Sequence, residues 1–180
     1  MEKYVWLFPL LFIFHDMEEI IGFGMWYKRN KAMLDERFPA ISKSYGDYST
    51  EGMALAVYEE LILCIVFCII AIVTGRYALW LGGFIAYAVH LAMHIGQSIV
   101  IHSYIPALVT SIIALPVSFW IIKECIGLLE YSAGMVVLYS VIGIAVVGLN
   151  LKLAHLLLSR FTRWMNTKSG EECENEGYAD

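Results

Sequence analysis

Four ionisable side chains interrupt the apolar stretch FIFHDMEEIIGF at residues 12–23, namely His15, Asp16, Glu18 and Glu19. Glu18 and Glu19 follow His15 by three and four positions, so all three side chains can share one face of a helix. Helix bundles build metal sites from histidine and carboxylate side chains at this spacing. Asp16 points about a quarter turn away from His15 and is interpreted as a supporting group.

Two further apolar stretches carry similar groups. In HLAMH, His90 and His94 are four positions apart, and Gln97 follows three positions later on the same face. Glu59 and Glu60 are adjacent, so at most one of them can face squarely inward, and the sequence leaves open which one does. These residues extend the candidate site from one helix to three.

The composition of the chain indicates that these helices lie in a membrane. Of its 180 residues, 59% are hydrophobic and only 16% are charged, whereas soluble domains contain about a quarter charged residues. A helix needs roughly 20 mostly apolar residues to cross a bilayer. We predict an all-α fold, a polytopic integral membrane bundle over residues 1–165. Its five transmembrane helices are expected at 4–27, 53–74, 77–101, 105–122 and 132–158.

The distribution of positive charge predicts the orientation of the spans. The loop 28–52 and the segment after the fifth span contain most of the lysines and arginines, whereas the opposite side has only Lys3, Arg76 and Lys123. Loops with an excess of positive charge remain in the cytoplasm. We therefore expect the N-terminus outside the cell, and the loop 28–52 and the C-terminus in the cytoplasm.

The C-terminal segment 166–180 differs in composition from the rest of the chain. It contains five acids against Lys168 alone, and so accounts for most of the net charge of −5. Because it has few residues that could form a core, it is predicted to be a disordered acidic tail. The remainder is nearly neutral and has no basic patch, which argues against nucleic acid as a partner.

The polar residues of the spans share a depth. Counted from the cytoplasmic end of each span, they lie about two or three turns inward, which confines them to a slab a few ångströms thick. The first, second, third and fifth spans should therefore surround one polar pocket, with the fourth more peripheral because it lacks acids and histidines. The members of this slab are His15, Glu18, Glu19, Glu59, Glu60, His90, His94 and Asn150.

These acids need compensation. An uncompensated acid near the centre of a bilayer costs roughly 2.5–3.5 kcal/mol, and Lys152 is the only lysine or arginine within a predicted span. One or two divalent transition metal ions would provide this compensation. Imidazole and carboxylate ligands suit zinc, iron or manganese. The candidate ligands are His15, Glu18, Glu59, Glu60, His90 and His94, Glu19 is a second ligand or the general base, and Asp16, Gln97 and Asn150 are supporting residues.

The segment HDMEE at 15–19 resembles the signature of the HXXEE family of small, multi-span prokaryotic membrane proteins. His15, Glu18 and Glu19 match that motif, while HLAMH at 90–94 and Asn150 resemble the later histidine and asparagine of the family. The resemblance covers most of the membrane domain. It implies a shared site in a prokaryotic cytoplasmic membrane, and it does not name a reaction.

Two better understood classes of membrane enzyme fit less well. Intramembrane CAAX-type proteases place an arginine downstream of their glutamate pair, and no arginine follows Glu18–Glu19 or Glu59–Glu60 within the same predicted span. Membrane desaturases and hydroxylases use eight or more histidines, whereas this chain has five.

Three functions remain open from the sequence. The first is a metal-dependent enzyme that acts on a lipid-like substrate entering from the bilayer, with hydrolysis ranked ahead of metal–oxygen chemistry. The second is a proton- or cation-coupled small transporter, for which a homodimer would supply the internal symmetry that the chain lacks. The third is a structural network of histidines and glutamates without catalysis.

Overall fold

The computed structural model describes residues 1–176, with the side chains of Ser44 and of residues 169–176 outside that description. Within residues 1–176 the chain forms helices and no strand, which confirms the all-α prediction. The helices are α1 (Glu2–Val5), α2 (Leu7–Arg37), α3 (Pro39–Ser44), α4 (Thr50–Thr74), α5 (Ala78–Ile101), α6 (Leu108–Leu129) and α7 (Ala133–Glu176).

Four helices of the described chain are long and apolar enough to cross a membrane. They comprise α4, α5, α6 and the portion Ala133–Lys168 of α7. Helix α2 is not among them, and its apolar part carries the acids Asp16, Glu18 and Glu19. A membrane-type bundle with four candidate spans is therefore established. The fifth span and the orientation of the termini stay predictions. Of the tail predicted at 166–180, residues 166–176 continue α7, and residues 177–180 lie outside the described residues.

Aromatic side chains hold α1 and the first half of α2 against α5. The Tyr87 hydroxyl donates a hydrogen bond to the Leu11 carbonyl at 2.7 Å, and the Trp80 indole donates to the Val5 carbonyl at 3.1 Å. Phe8 packs edge-on against Phe84, with ring centroids 5.4 Å apart. Because Leu11 and Tyr87 each lie about one turn before a histidine, this packing brings the histidines of α2 and α5 to the same level.

Helices α5 and α7 cross closely near their N-terminal ends. A Cβ atom on Gly82 would collide with the carbonyl oxygen of Tyr139, and one on Gly143 would collide with the carbonyl oxygen of Gly82. Glycine at both positions permits this approach of two backbones. Further along the same two helices, by contrast, a cavity separates them.

The segment between α2 and α4 folds back beneath the bundle. The Tyr27 hydroxyl donates to the Ser42 carbonyl at 3.1 Å, which fixes α3 against the end of α2. The Phe23 ring packs on Tyr45, with centroids 4.6 Å apart. Ser49 is 2.7 Å from the Thr162 hydroxyl, so the start of α4 is attached to α7. The aromatic residues of this connection thereby close one end of the bundle interior.

Candidate metal centre

Four side chains on α2 and α5 converge at the centre of the bundle. His15, Glu19, His90 and His94 each offer one ligand atom, and these atoms all lie within 4.8 Å of one another. His94 Nε2 is 3.0 Å from His90 Nε2 and 2.9 Å from Glu19 Oε1. Around one ion with metal–nitrogen bonds of 2.0–2.1 Å, neighbouring tetrahedral ligands are about 3.4 Å apart. The cluster therefore has the dimensions of a single metal site.

Helix geometry explains why these four residues meet. His15 and Glu19 are four positions apart on α2, and His90 and His94 are four apart on α5, so each helix presents a pair from consecutive turns. The aromatic contacts between α2 and α5 set the two pairs face to face. The ring centroids of His15 and His94 are 5.1 Å apart, and those of His15 and His90 are 5.5 Å apart.

The four ligand atoms of the cluster cannot all be paired with one another through hydrogen bonds. His15 is fully buried, and its Nε2 has no hydrogen-bond partner among the described residues. Glu19 Oε1 is 2.9 Å from His94 Nε2 and is likewise buried without a hydrogen-bond partner among the described residues. One proton between His94 Nε2 and His90 Nε2 pairs these two atoms and leaves His15 Nε2 and Glu19 Oε1 without a partner in the described chain. A divalent cation would satisfy all four donor atoms together, so the residues fit a metal.

A cavity of about 210 Å³ adjoins the cluster. Three acids line it, namely Asp16, Glu19 and Glu60, and no lysine or arginine is among its described lining residues. Asp16 is only 2% exposed, and its Oδ2 atom has no hydrogen-bond partner in the described chain. Because buried carboxylates without partners are costly, this wall favours a bound cation.

Apolar side chains form most of the remaining cavity wall. The exposed members of the wall near the cluster are Met93, Gln97 and His155, which places the mouth of the cavity between α5 and α7. Tyr45 also lines the cavity, and burial, together with the nearby charge of Glu19, raises the pKa of Tyr45 to about 12. Its hydroxyl therefore stays protonated and can donate a hydrogen bond at neutral pH.

A smaller cavity of about 40 Å³ lies beside the first. The two share Glu60, His90 and Leu151 in their walls. Phe8, Phe12 and Phe67 give the smaller one an apolar lining. The cluster is thus bordered by apolar space on its α4 side as well.

Glu18 lies outside the cluster. Its carboxylate accepts hydrogen bonds from the Tyr104 hydroxyl at 2.7 Å and from the Thr110 hydroxyl at 2.6 Å. It also accepts the backbone N–H of Thr110 at 2.8 Å. The structure therefore directs the two adjacent acids of α2 to different neighbours, Glu18 to the start of α6 and Glu19 to the histidines of α5.

The other predicted site residues are distributed around the cavity. Glu59 Oε2 accepts a hydrogen bond from Asn150 Nδ2 at 3.0 Å, which links α4 to α7. Glu60 lines both cavities, so it is the member of the acidic pair that faces the site. Asp16 and Gln97 are part of the larger cavity's wall.

The larger cavity is walled by α2, α4, α5, α7 and their connections, with no residue from α6, in the arrangement expected for a more peripheral fourth span. Sequence reasoning nevertheless missed Thr110 of α6, whose hydroxyl is 3.0 Å from His15 Nδ1. It also missed Tyr45 and His155, which both line the larger cavity. Thr110 follows a turn and starts a neutral apolar helix, so nothing in its local sequence indicates a distant partner.

The comparisons with known proteins identify a family and no activity. A family model described as a protein of unknown function with an HXXEE motif matches residues 6–121. This region contains all four members of the cluster. No curated protein and no solved structure matches the chain significantly.

Proposed function

The chain belongs to the HXXEE family, and from this premise we propose that it is a membrane metalloenzyme acting on a lipid-like substrate. His15, Glu19, His90 and His94 would bind one divalent transition metal ion. The observation that carries the proposal is the convergence of their donor atoms within 4.8 Å. The acidic cavity beside them supplies space for a substrate.

This assignment makes Glu19 a ligand rather than the general base. Both oxygens of Glu18 already accept hydrogen bonds from residues at the start of α6, whereas Glu19 Oε1 points at His94 without an aligned donor. Asp16 and Glu60 share the cavity and are outside the cluster. They are the free carboxylates available to accept a proton from a reacting group.

Three imidazoles and one carboxylate suit zinc, iron or manganese. An ion that takes five or six ligands keeps a position open for water or substrate in such a site. A metal of this kind supplies Lewis acidity and lowers the pKa of water bound to it. We favour hydrolysis because two uncoordinated carboxylates, Asp16 and Glu60, border the same space and can take up the proton that water releases.

The proposed substrate class follows from the surroundings of the cavity. Its mouth lies between α5 and α7, which are both candidate membrane spans. Its walls are mostly apolar, with Phe23, Met53 and Leu158 among the lining residues. A molecule with an apolar body and a hydrolysable polar group would be able to enter from the bilayer and place that group near the cluster.

Elemental analysis of the detergent-purified chain tests the metal. We expect close to one equivalent of zinc, iron or manganese, lost on treatment with a chelator and restored by adding the ion. The thermal stability of the same samples distinguishes a metal site from a structural polar network, because only a metal site is expected to be stabilised by the added ion. A chain that holds no metal under any loading condition would leave a structural polar network as the better explanation.

The reaction is tested with metal-loaded protein in vesicles made from a total lipid extract of the expression host. In water enriched in oxygen-18, hydrolysis incorporates one labelled oxygen into a product, which mass spectrometry detects. The chelated protein is the control. Label that enters instead from oxygen-18 gas would overturn hydrolysis and assign metal–oxygen chemistry.

A further inference from the structure

We infer that Glu18 and Thr110 form a positioning pair, which fixes the tautomer of His15 and directs its Nε2 lone pair at the metal. This inference rests on the proposed metal site, and it assigns a role to the one acid of the HXXEE motif that the cluster does not use. Neither residue would touch the metal or the substrate. Both would act through the His15 ring.

Glu18 is held by donors from one short region of the chain. Its Oε2 accepts from the Thr110 backbone N–H at 2.8 Å and from the Thr110 hydroxyl at 2.6 Å. Its Oε1 accepts from the Tyr104 hydroxyl at 2.7 Å and is 3.4 Å from the Val109 backbone nitrogen. Four donors of this kind stabilise an ionised carboxylate.

The same contacts make Glu18 the N-terminal cap of α6. Helix α6 begins at Leu108, and its own capping residue, Ala107, has no side-chain oxygen and a φ of 89°. The first backbone N–H groups of a helix have no partners within that helix. Glu18, which belongs to α2, accepts hydrogen bonds from the backbone N–H groups of Val109 and Thr110. The positive end of the α6 dipole favours the negative charge of its carboxylate.

The position of one proton follows from these distances. The Thr110 hydroxyl has a single hydrogen and four possible acceptors, which are the His15 and Ala107 carbonyls, His15 Nδ1 in one of its tautomers, and Glu18 Oε2. Glu18 Oε2, at 2.6 Å, is the nearest and is charged. If that hydrogen pointed elsewhere, the hydroxyl oxygen and the carboxylate oxygen would face each other lone pair to lone pair. The hydroxyl therefore donates to Glu18.

The His15 tautomer follows in turn. Since the Thr110 hydroxyl has used its hydrogen, its oxygen can only accept from His15 Nδ1, which is 3.0 Å away. His15 must then carry its proton on Nδ1, and Nε2 keeps a free lone pair. Nε2 is the His15 atom that is buried without a hydrogen-bond partner in the described chain, as a vacant ligand atom should be. Histidines that bind metals commonly have their other nitrogen fixed in this manner.

The two adjacent acids of the motif have separate roles, because they point to different helices. Successive helix residues differ by about 100°, so Glu18 and Glu19 lie on opposite sides of the direction in which His15 points. Glu18 reaches α6, and Glu19 reaches His94 on α5. The spacing His-x-x-Glu-Glu thus provides a ligand, the anchor of that ligand and a second ligand from little more than one turn.

Substitutions at Thr110 test the pair without touching a ligand. Thr110→Val keeps the side-chain shape and the backbone N–H bond to Glu18, but it removes the hydroxyl link to His15. Loss of such an outer contact typically lowers metal affinity about 10–100-fold, and we expect a decrease in that range. Thr110→Ser retains the hydroxyl and should restore most of the affinity. Ser111→Ala is the matched control, because the Ser111 hydroxyl is buried without a hydrogen-bond partner in the described chain.

Nitrogen-15 NMR of histidine-labelled, metal-free protein reads the tautomer directly. We expect the His15 signal of the wild type to show protonation at Nδ1, and Thr110→Val to move that signal toward the other tautomer. A wild-type His15 protonated at Nε2, or equal metal affinities of the Val and Ser variants, would overturn the positioning pair while leaving the metal site intact. Failure of the wild type to bind metal would overturn the proposed function, whereas the tautomer measurement would still decide the Glu18–Thr110–His15 contact.

Discussion

At the scale of single side chains, His94 makes the contacts that link the members of the cluster on α2 and α5. Its Nε2 is within 3.0 Å of donor atoms from two other members, His90 on its own helix and Glu19 on α2. Removing it should separate the ligands of the two helices. It lies in the same turn as residues that only line the cavity, so its effect can be compared with theirs.

We predict that His94→Ala lowers metal affinity by at least about 100-fold, since even loss of an outer contact to a ligand costs 10–100-fold. The protein should still insert, because insertion depends mainly on total hydrophobicity. Metal titration of the purified variant measures the effect. Gln97→Ala is the control: Gln97 lines the same cavity from α5 but lies outside the cluster, so this variant should bind metal normally.

Replacing a carboxylate by an amide distinguishes a metal ligand from a general base, because the two roles predict different losses of metal and of turnover. Glu19→Gln should lose metal, because an amide is a poorer ligand than a carboxylate. Glu60→Gln should keep its metal and lose turnover in the oxygen-18 assay, because an amide cannot accept the proton. If both variants instead keep full metal content and gain thermal stability, the acids form a structural network in which a buried charge is better removed.

The sequence pattern was sufficient to predict that His15, His90 and His94 lie close together, because spacing gives the face of each residue on its helix and the distance from the span end gives its depth. It could not assign Glu18 and Glu19. They point about 100° apart, and which neighbouring helix lies in each direction depends on the packing of the bundle rather than on the sequence of α2. The roles of these two acids at a metal remain predictions, with Glu19 now the preferred ligand.

At the scale of helices, the close crossing of α5 and α7 depends on two glycines. Methyl groups at Gly82 or Gly143 would meet backbone atoms of the other helix. We predict that Gly143→Ala lowers the apparent Tm, consistent with the roughly 1–3 kcal/mol that overpacking costs. Gly148→Ala is the control, since a Cβ atom there has no described heavy atom within 4 Å. Thermal unfolding in detergent, followed by circular dichroism, compares the two variants; equal Tm values would contradict the tight crossing.

Helix ends were less predictable than helix centres. The apolar stretch 105–122 ends before Lys123 and Glu124, yet α6 continues to Leu129. Likewise α2 continues past the apolar segment to Arg37. A hydrophobic pattern marks where a helix is buried or in contact with lipid, whereas the backbone can remain helical through charged residues beyond that limit.

Metal binding should be visible in the stability of the whole molecule. A ligand that binds only the folded state at 1,000 times its Kd stabilises that state by about 4.1 kcal/mol. We therefore expect zinc, iron or manganese to raise the Tm of the chelated protein. The increase should decline as the pH is lowered, because protons compete with the metal for the imidazole and carboxylate ligands. A metal-induced shift that grows in acid would contradict this assignment.

The orientation of the chain in the membrane is a prediction that labelling can test. Lys43, in α3, is exposed and lies on the side expected to be cytoplasmic, whereas Arg76 is exposed on the opposite side. In a background without native cysteines, a membrane-impermeant maleimide added to intact cells should label Arg76→Cys and spare Lys43→Cys. The reverse pattern would invert the proposed topology.

All four residues of the cluster come from α2 and α5, whereas the mouth of the neighbouring cavity lies between α5 and α7. Helix α7 therefore contributes to the entrance and supplies no member of the cluster. Substitutions in the α7 wall would change the shape of the cavity near its mouth without changing a member of the cluster. The residues concerned are Leu151, Ala154, His155 and Leu158. If the proposed metal site is correct, its ligands on α2 and α5 could stay the same while changes in α7 alter which molecules enter.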